Sequence, residues 1–486
     1  MRSTSRYGAV PVAALAAVLA LGACSSSSDS VPSGVVLPTS YAVGPSRVDL
    51  GLGVSTPVED PYYPDTSNPE VDALHYNLAL SWDGTTLAGS ASVTVRVTTA
   101  TRSLRLDLAG SLHVSAVTMD GRPVRYEQVD DGLVMAVGPV SRGSQHTLVV
   151  DYAGSPSPVA APSGRSDLEA GLGWSVDDDG DVYTFQEPYG AFTWFPVNDH
   201  PSDKALYDAQ ITVPRGSTAV FDGELVGHEP AGADATTWRW HVPQPTASYL
   251  TTIAIGPYAA VHQTLPGGTP ATYWLLPRDL WLAPKLRSET PTAFRWLLEH
   301  AGDYPFSTFG VVLVGGYSGM ETQTMVTLSR STFDRPDAVL EHEIAHQWFG
   351  DAVTPTSWPG VWLNEGWAMW MQQAFERDTG RSMYAGGIAK WRPLDQAARE
   401  RSGPPGSFRP ASFGDVNVYL GPAMMLDGIR RRVGDQEFTS LTKAWVQDHE
   451  FGNVDRAEFV RWLNAETGQD LTDLVDRWLE SPTTPR

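Results

Sequence analysis

Alternating apolar and polar positions dominate the first half of the chain. Val93, Val95 and Val97 are separated by Thr94 and Arg96, and Leu104, Leu106 and Leu108 repeat the two-residue period. That period turns one face of each run toward a core and the other toward water, which predicts strands. Asp83-Gly84, Asp120-Gly121 and Asp131-Gly132 supply hairpin-turn signals between the runs. From Val71 to about Tyr258 the pattern predicts a largely antiparallel β domain.

Beyond about Pro266 the period lengthens to that of a helix. Thr290 to His300, with Phe294, Leu297 and Leu298 on one face, Pro336 to Phe349, Val361 to Arg377 and segments after Pro422 predict helices, among them Glu458 to Leu463 and Leu471 to Leu479. The apolar run Phe309 to Val314 between them predicts a buried strand. The fold class is therefore α+β multidomain: an N-terminal antiparallel β domain followed by a helix-rich one, without internal repeats.

Composition narrows the function classes. The chain has 486 residues, 42% of them hydrophobic, which suffices for two or three domains with cores of their own. Its net charge of −22 comes with no offsetting Lys/Arg-rich run, which argues against binding to nucleic acid. Met1 to Cys24 combines Arg2 and Arg6 with an apolar stretch from Val10 to Leu21, too short to span a bilayer comfortably, and reads as an export signal. Its end, Leu21-Gly22-Ala23-Cys24, resembles a bacterial lipobox. That resemblance implies lipidation at Cys24 and anchoring to the outer face of the bacterial cell membrane. Cys24 is the one cysteine of the chain, so no disulfide contributes to the fold. The expected layout is a lipoprotein signal peptide (1–23), a flexible tether (24–64), the β domain (65–260) and the helix-rich domain (261–486).

The chemistry concentrates in Glu341-His342-Glu343-Ile344-Ala345-His346, on a predicted helix that ends at Gly350. Residues four apart share a helix face, so His342 and His346 can reach one metal ion. Glu365, nineteen residues after His346 on the next predicted helix, adds a carboxylate. Two imidazoles and one carboxylate leave a fourth coordination position open for water, which is the pattern of catalytic rather than structural zinc. Glu343 is then placed to take a proton from that water as general base.

These residues, with the flanking Gln347-Trp348-Phe349-Gly350-Asp351 and Trp362-Leu363-Asn364-Glu365-Gly366, resemble the aminopeptidase N family of zinc metallopeptidases, which includes leukotriene hydrolase. The family's signature is His-Glu-x-x-His, eighteen residues and Glu, matched here by His342, Glu343, His346 and Glu365. The resemblance implies a saddle-like β domain over a thermolysin-like catalytic domain, one Zn2+ per chain, and hydrolysis of the first peptide bond of peptides with a free N-terminus. It also implies further site residues. Ser318-Gly319-Met320-Glu321-Thr322 is similar to the family's Gly-x-Met-Glu-Asn segment, which makes Gly319, Met320 and Glu321 substrate-binding and assigns Glu321 to the substrate's ammonium. Glu187, in Phe185-Gln186-Glu187-Pro188-Tyr189-Gly190, stands where the family carries a second such carboxylate. Tyr419 matches the catalytic tyrosine that stabilises the oxyanion.

The departures from the family's pattern are Ser318, Thr322, Gln372, Gly421 and Pro422. Trp348, Trp362, Trp367 and Trp370 cluster around the metal helices and are expected to be core. Larger relatives continue into a helical C-terminal domain, so a more open site is expected here. A zinc endopeptidase of the same class and a catalytically silent surface binding protein remain alternatives. Oligomeric state and preferred first residue have no sequence signal.

Overall fold

The computed structural model describes residues 48–334, 339–380 and 388–486. The export signal, Cys24 and the tether as far as residue 47 lie outside the described residues, as do 335–338 at the start of the predicted metal-site helix.

The alternation read from the first half builds an eight-stranded sheet whose centre is Val71–Trp82, flanked by Leu87–Val97 and Lys204–Pro214. Val93, Val95 and Val97 are fully buried and the residues between them are not, as a two-residue period requires. The sheet is antiparallel except where Val71–Trp82 runs parallel to Lys204–Pro214. A four-stranded sheet (Thr218–Phe221, Ile253–Gly256, Val182–Phe185, Gly173–Val176) and a three-stranded one share its core.

The second half centres on a five-stranded sheet in which Pro270–Leu275, Phe309–Val314 and Val326–Ser329 are parallel and Gly319–Met320 forms an antiparallel edge. Phe309–Val314 is buried along its whole length, as its unbroken apolar run predicts. The crossover helix runs Ala283–His300, longer than the Thr290 to His300 expected: Pro284 sits in its first turn, where a proline costs no hydrogen bond, and the helix continues through Pro291. Trp348, Trp362, Trp367 and Trp370 are all buried in this second core.

Two expected boundaries are corrected. The strand Ala259–Thr264 pairs with Pro270–Leu275, so the chain enters the second half's sheet at Ala259 and the division placed at 260/261 falls inside a strand. The tether expected over 24–64 does not extend through its last ten residues, which form a strap across both halves. Asp60, fully buried, accepts from the backbone N–H groups of Tyr62, Tyr63 and, across the interface, Trp358. Tyr63 Oη donates to Pro410 O at 3.0 Å. A buried carboxylate that collects three N–H donors replaces the water it gave up, so this polar, Pro-rich segment is ordered despite its composition.

The halves also share a core. Trp358, Val361, Phe408, Phe413 and Val418 of the second half pack into the first core. Lys204, fully buried, donates to the carbonyls of Asp351 (2.8 Å) and Ala352 (3.3 Å) just beyond the metal-site helix. Burial pushes this ammonium down to about 7, with Asp351 partly opposing.

Candidate active site

The helix carrying His342 and His346 is Val339–His346; it stops at His346 instead of continuing to Phe349 as expected. The backbone then turns so that the Phe349 carbonyl accepts from His346 Nδ1 at 3.0 Å. That bond places the imidazole proton on Nδ1 and leaves the Nε2 lone pair facing the cleft.

One turn apart, His342 and His346 bring their Nε2 atoms to 3.1 Å. Glu365, in the first turn of helix Trp362–Thr379, brings Oε2 to 3.1 Å from His342 Nε2 and 3.4 Å from His346 Nε2. Zinc–ligand distances of roughly 2.0–2.1 Å set the corners of a tetrahedron about 3.3 Å apart. The three atoms therefore stand at the spacing of three zinc ligands, with two neutral-capable imidazoles and a carboxylate as donors. Burial works against ionisation of Glu365, but the two adjacent imidazoles outweigh it and hold the carboxyl well below its usual range.

The triad lies in a cleft of about 540 Å³ between the halves, and the cleft wall includes Glu187, Ser318, Gly319, Glu321, Glu343 and Tyr419. Burial pushes the Glu343 carboxyl up to about 8, with the Glu321 and Glu365 charges adding to it against His346. Burial likewise raises Glu187, with Glu321 the next cause, and raises Glu321 despite His346. Each of these two carboxylates has a buried Oε1 without a hydrogen-bond partner. Unpartnered buried carboxylate oxygens are costly, and a cation with several N–H donors would satisfy both. Gln347 ties this segment to the metal helix: its Nε2 donates to Glu321 O (3.0 Å) and its Oε1 accepts from Thr324 N (2.9 Å).

Tyr419, in helix Asn417–Val433, lies with its ring 6.0 Å from that of His342. It borders the cleft beside Glu365, and Arg165 Nη1 approaches its hydroxyl at 3.5 Å.

Met320 is the one expected substrate contact that the structure places elsewhere. Successive strand residues point to opposite faces, so Gly319 faces Glu343 while the Met320 side chain packs into the core at 3% exposure. Thr322, where the family has Asn, is fully buried and turned into the sheet, bonded to Met325 O and at 2.8 Å to Thr327 Oγ1, away from substrate. Gln372 borders the cleft and donates to Glu376 at 3.2 Å. Gly421 makes room for the buried Asp395–Arg399 pair: a Cβ there would lie 2.6 Å from Arg399 Nη2. Pro422 packs against Gly366, where a Cβ would come within 2.4 Å of the proline ring.

Arg165 and Asp167, both on the cleft wall, had no sequence signal. They sit in an irregular stretch of the β half, and nothing in the local pattern distinguishes them from surface polar residues. Among the described residues a separate acidic group, Asp177, Asp179 and Asp181, is already filled by the Arg278 guanidinium.

Comparison with known proteins agrees with this architecture. Residues 72–250 match the model of the peptidase M1 N-terminal domain and residues 300–478 that of the peptidase family M1 domain. Aminopeptidase N of Streptomyces lividans is 24% identical over 344 residues, covering 63% of this chain and 38% of that protein. Rat aminopeptidase B is 27% identical over 444 residues, covering 79% of this chain and 63% of its own length. The chain thus spans about two fifths to three fifths of these two curated relatives. The crystal structure of an M1 zinc metallopeptidase from Deinococcus radiodurans superimposes with a TM-score of 0.77 at 26% identity, covering 88% of this chain and 99% of that one. A mutant of that enzyme has been solved bound to a Tyr-Ser-Ala substrate. With both domain models matched in order along the chain, this protein belongs to the peptidase M1 family.

Proposed function

We propose that the protein is a zinc aminopeptidase that removes the first residue of peptides with a free N-terminus. The observation that carries the reading is the convergence of His342, His346 and Glu365 at zinc-ligand spacing, facing two carboxylates, Glu187 and Glu321, whose inner oxygens have no partner. A metal centre alone serves any peptidase. An ammonium clamp beside it favours an exopeptidase, because a backbone amide has no positive charge to repay two buried carboxylates.

Zinc bound to the triad supplies Lewis acidity toward the scissile carbonyl and a water of lowered pKa. Glu187 and Glu321 hold the substrate's ammonium and so fix the first peptide bond at the triad. Glu343 takes the proton of the attacking water and returns it to the departing amine; its burial keeps the carboxyl basic enough for both steps. Tyr419 donates a hydrogen bond to the carbonyl oxygen as negative charge develops there.

The test is hydrolysis of L-aminoacyl fluorogenic amides with and without a chelator, alongside N-acetylated versions of a peptide substrate. Chelator-sensitive hydrolysis of free amines alone supports the reading. Cleavage of acetylated peptides would make the protein an endopeptidase, and bound zinc without any hydrolysis a binding protein. Glu343→Gln should retain zinc and lose turnover.

A further inference from the structure

The departure at Ser318 and the cation Arg165 belong to one chain of contacts that crosses the interface between the halves. Ser318 Oγ donates to Asp167 Oδ2 at 2.8 Å. The same carboxylate grips Arg165 at two points, Nη2 to Oδ2 at 2.7 Å and Nε to Oδ1 at 3.2 Å. Two parallel bonds fix the plane of a guanidinium. Nη1, the nitrogen Asp167 does not hold, is left directed at Tyr419 Oη, 3.5 Å away. Gly414 lies beneath it with φ +69°, and a Cβ at that position would sit 2.3 Å from Nη1. The guanidinium thus occupies a seat built by Asp167, Ser318 and Gly414, and it points at the hydroxyl.

We propose that Arg165 is a positioning residue for Tyr419, held in place by Asp167 and Ser318; this rests on the aminopeptidase reading. A phenol has one proton and two lone pairs. A cationic donor on a lone pair turns the proton toward a different acceptor, Glu365 beside it or the carbonyl oxygen of a bound substrate, and polarises the O–H bond so that it donates more strongly. Asp167 has a second effect. Glu187, Glu321, Glu343 and Glu365 face the same cleft, and an untethered guanidinium would be drawn among them and fill the ammonium site. The grip of Asp167, itself held by the Ser318 hydroxyl, keeps the cation on the Tyr419 side. This gives the serine at the motif's first position a role that glycine, which has no hydroxyl, does not have.

The experiment is a double-mutant cycle of Arg165→Gln and Tyr419→Phe, with Arg165→Lys and Ser318→Gly beside it. It measures kcat and KM on an L-aminoacyl fluorogenic amide and the melting temperature of each metal-free variant. Losing one oxyanion donor costs roughly 100- to 1,000-fold in kcat, so a group acting through that donor is expected to account for roughly 10- to 100-fold. Arg165→Gln should lower kcat by that factor with KM within about twofold, and should cost nothing further once Tyr419 is Phe. Arg165→Lys should recover part of the loss, and Ser318→Gly should lose less than Arg165→Gln. Metal-free melting temperatures should stay near that of the unaltered protein. Additive losses in the double variant, a loss expressed in KM, or melting temperatures that fall in step with kcat would overturn the assignment. If the unaltered protein hydrolyses no aminoacyl amide, the aminopeptidase reading fails and this inference falls with it. An active parent with an additive cycle removes the role of Arg165 alone.

Discussion

Replacing Gly319 by alanine probes how tightly Glu343, the proposed general base, is held. A Cβ at this position would stand 2.4 Å from Glu343 Oε1 and 3.0 Å from its Cδ, with Leu328 Cδ1 at 3.1 Å on the other side. Non-bonded carbon atoms rest at roughly 3.5–4.0 Å, so relief requires a displacement of about 1 Å. Gly319 is not among the residues with positive φ, so alanine brings no backbone strain, and its strand is paired to Val326–Ser329. The carboxyl is the mobile partner and has to yield. A misplacement of about 1 Å at a reacting group costs on the order of 100-fold in rate. The methyl approaches Glu343 and Leu328, not His342, His346 or Glu365, so zinc content should stay at one per chain. The assay is kcat on an aminoacyl fluorogenic amide together with metal content and melting temperature. A variant that keeps kcat within about threefold, or one that loses its zinc, refutes the reasoning.

Other perturbations separate the remaining roles. Glu365→Gln removes a proposed ligand, and since changes in outer-shell partners alone cost roughly 10- to 100-fold in metal affinity, a loss of at least about 100-fold is expected by competition with a chelator. Glu321→Gln removes half of the proposed ammonium clamp; a charge-assisted hydrogen bond contributes about 2 kcal/mol, so kcat/KM should fall about 30-fold, and an unchanged value would displace Glu321 from that role. Asp208 lies between His241 Nδ1 (2.8 Å) and His75 Nε2 (2.9 Å), and although burial opposes, those bonds bring its carboxyl down to about 2. Its depressed value stabilises the fold above the unfolded pKa of about 4 and that contribution is lost as pH falls toward 2, so Asp208→Asn should cost about 2 kcal/mol in urea unfolding at pH 6, with a gap that narrows below pH 4. If Cys24 carries a lipid, Cys24→Ser should move the protein from the membrane fraction to the soluble one, whereas retention in the membrane fraction would end the anchor reading.

The parts of this protein that were legible in its sequence are those encoded within one or two turns of chain. Val93, Val95 and Val97 announce a half-buried strand because side-chain direction alternates residue by residue. His342 and His346 announce a metal site because four residues make one helical turn. Glu365 could be added because its helix follows closely, and its place at the triad required only that the two helices pack. What depended on contacts between distant parts of the chain was not legible. Arg165 meets Tyr419 across 254 residues, and Asp60 meets Trp358 across 298. Neither pairing leaves a local pattern, since the partner that makes each polar residue structural is absent from its neighbourhood in sequence. Met320 shows the same limit at close range: a motif names the residue, but only the pleat of its edge strand decides which face it takes. Periodicity thus determined the elements and the pairing of His342 with His346 on one helix face, while the packing of the two halves decided the strap, the cation and the clearance around Glu343.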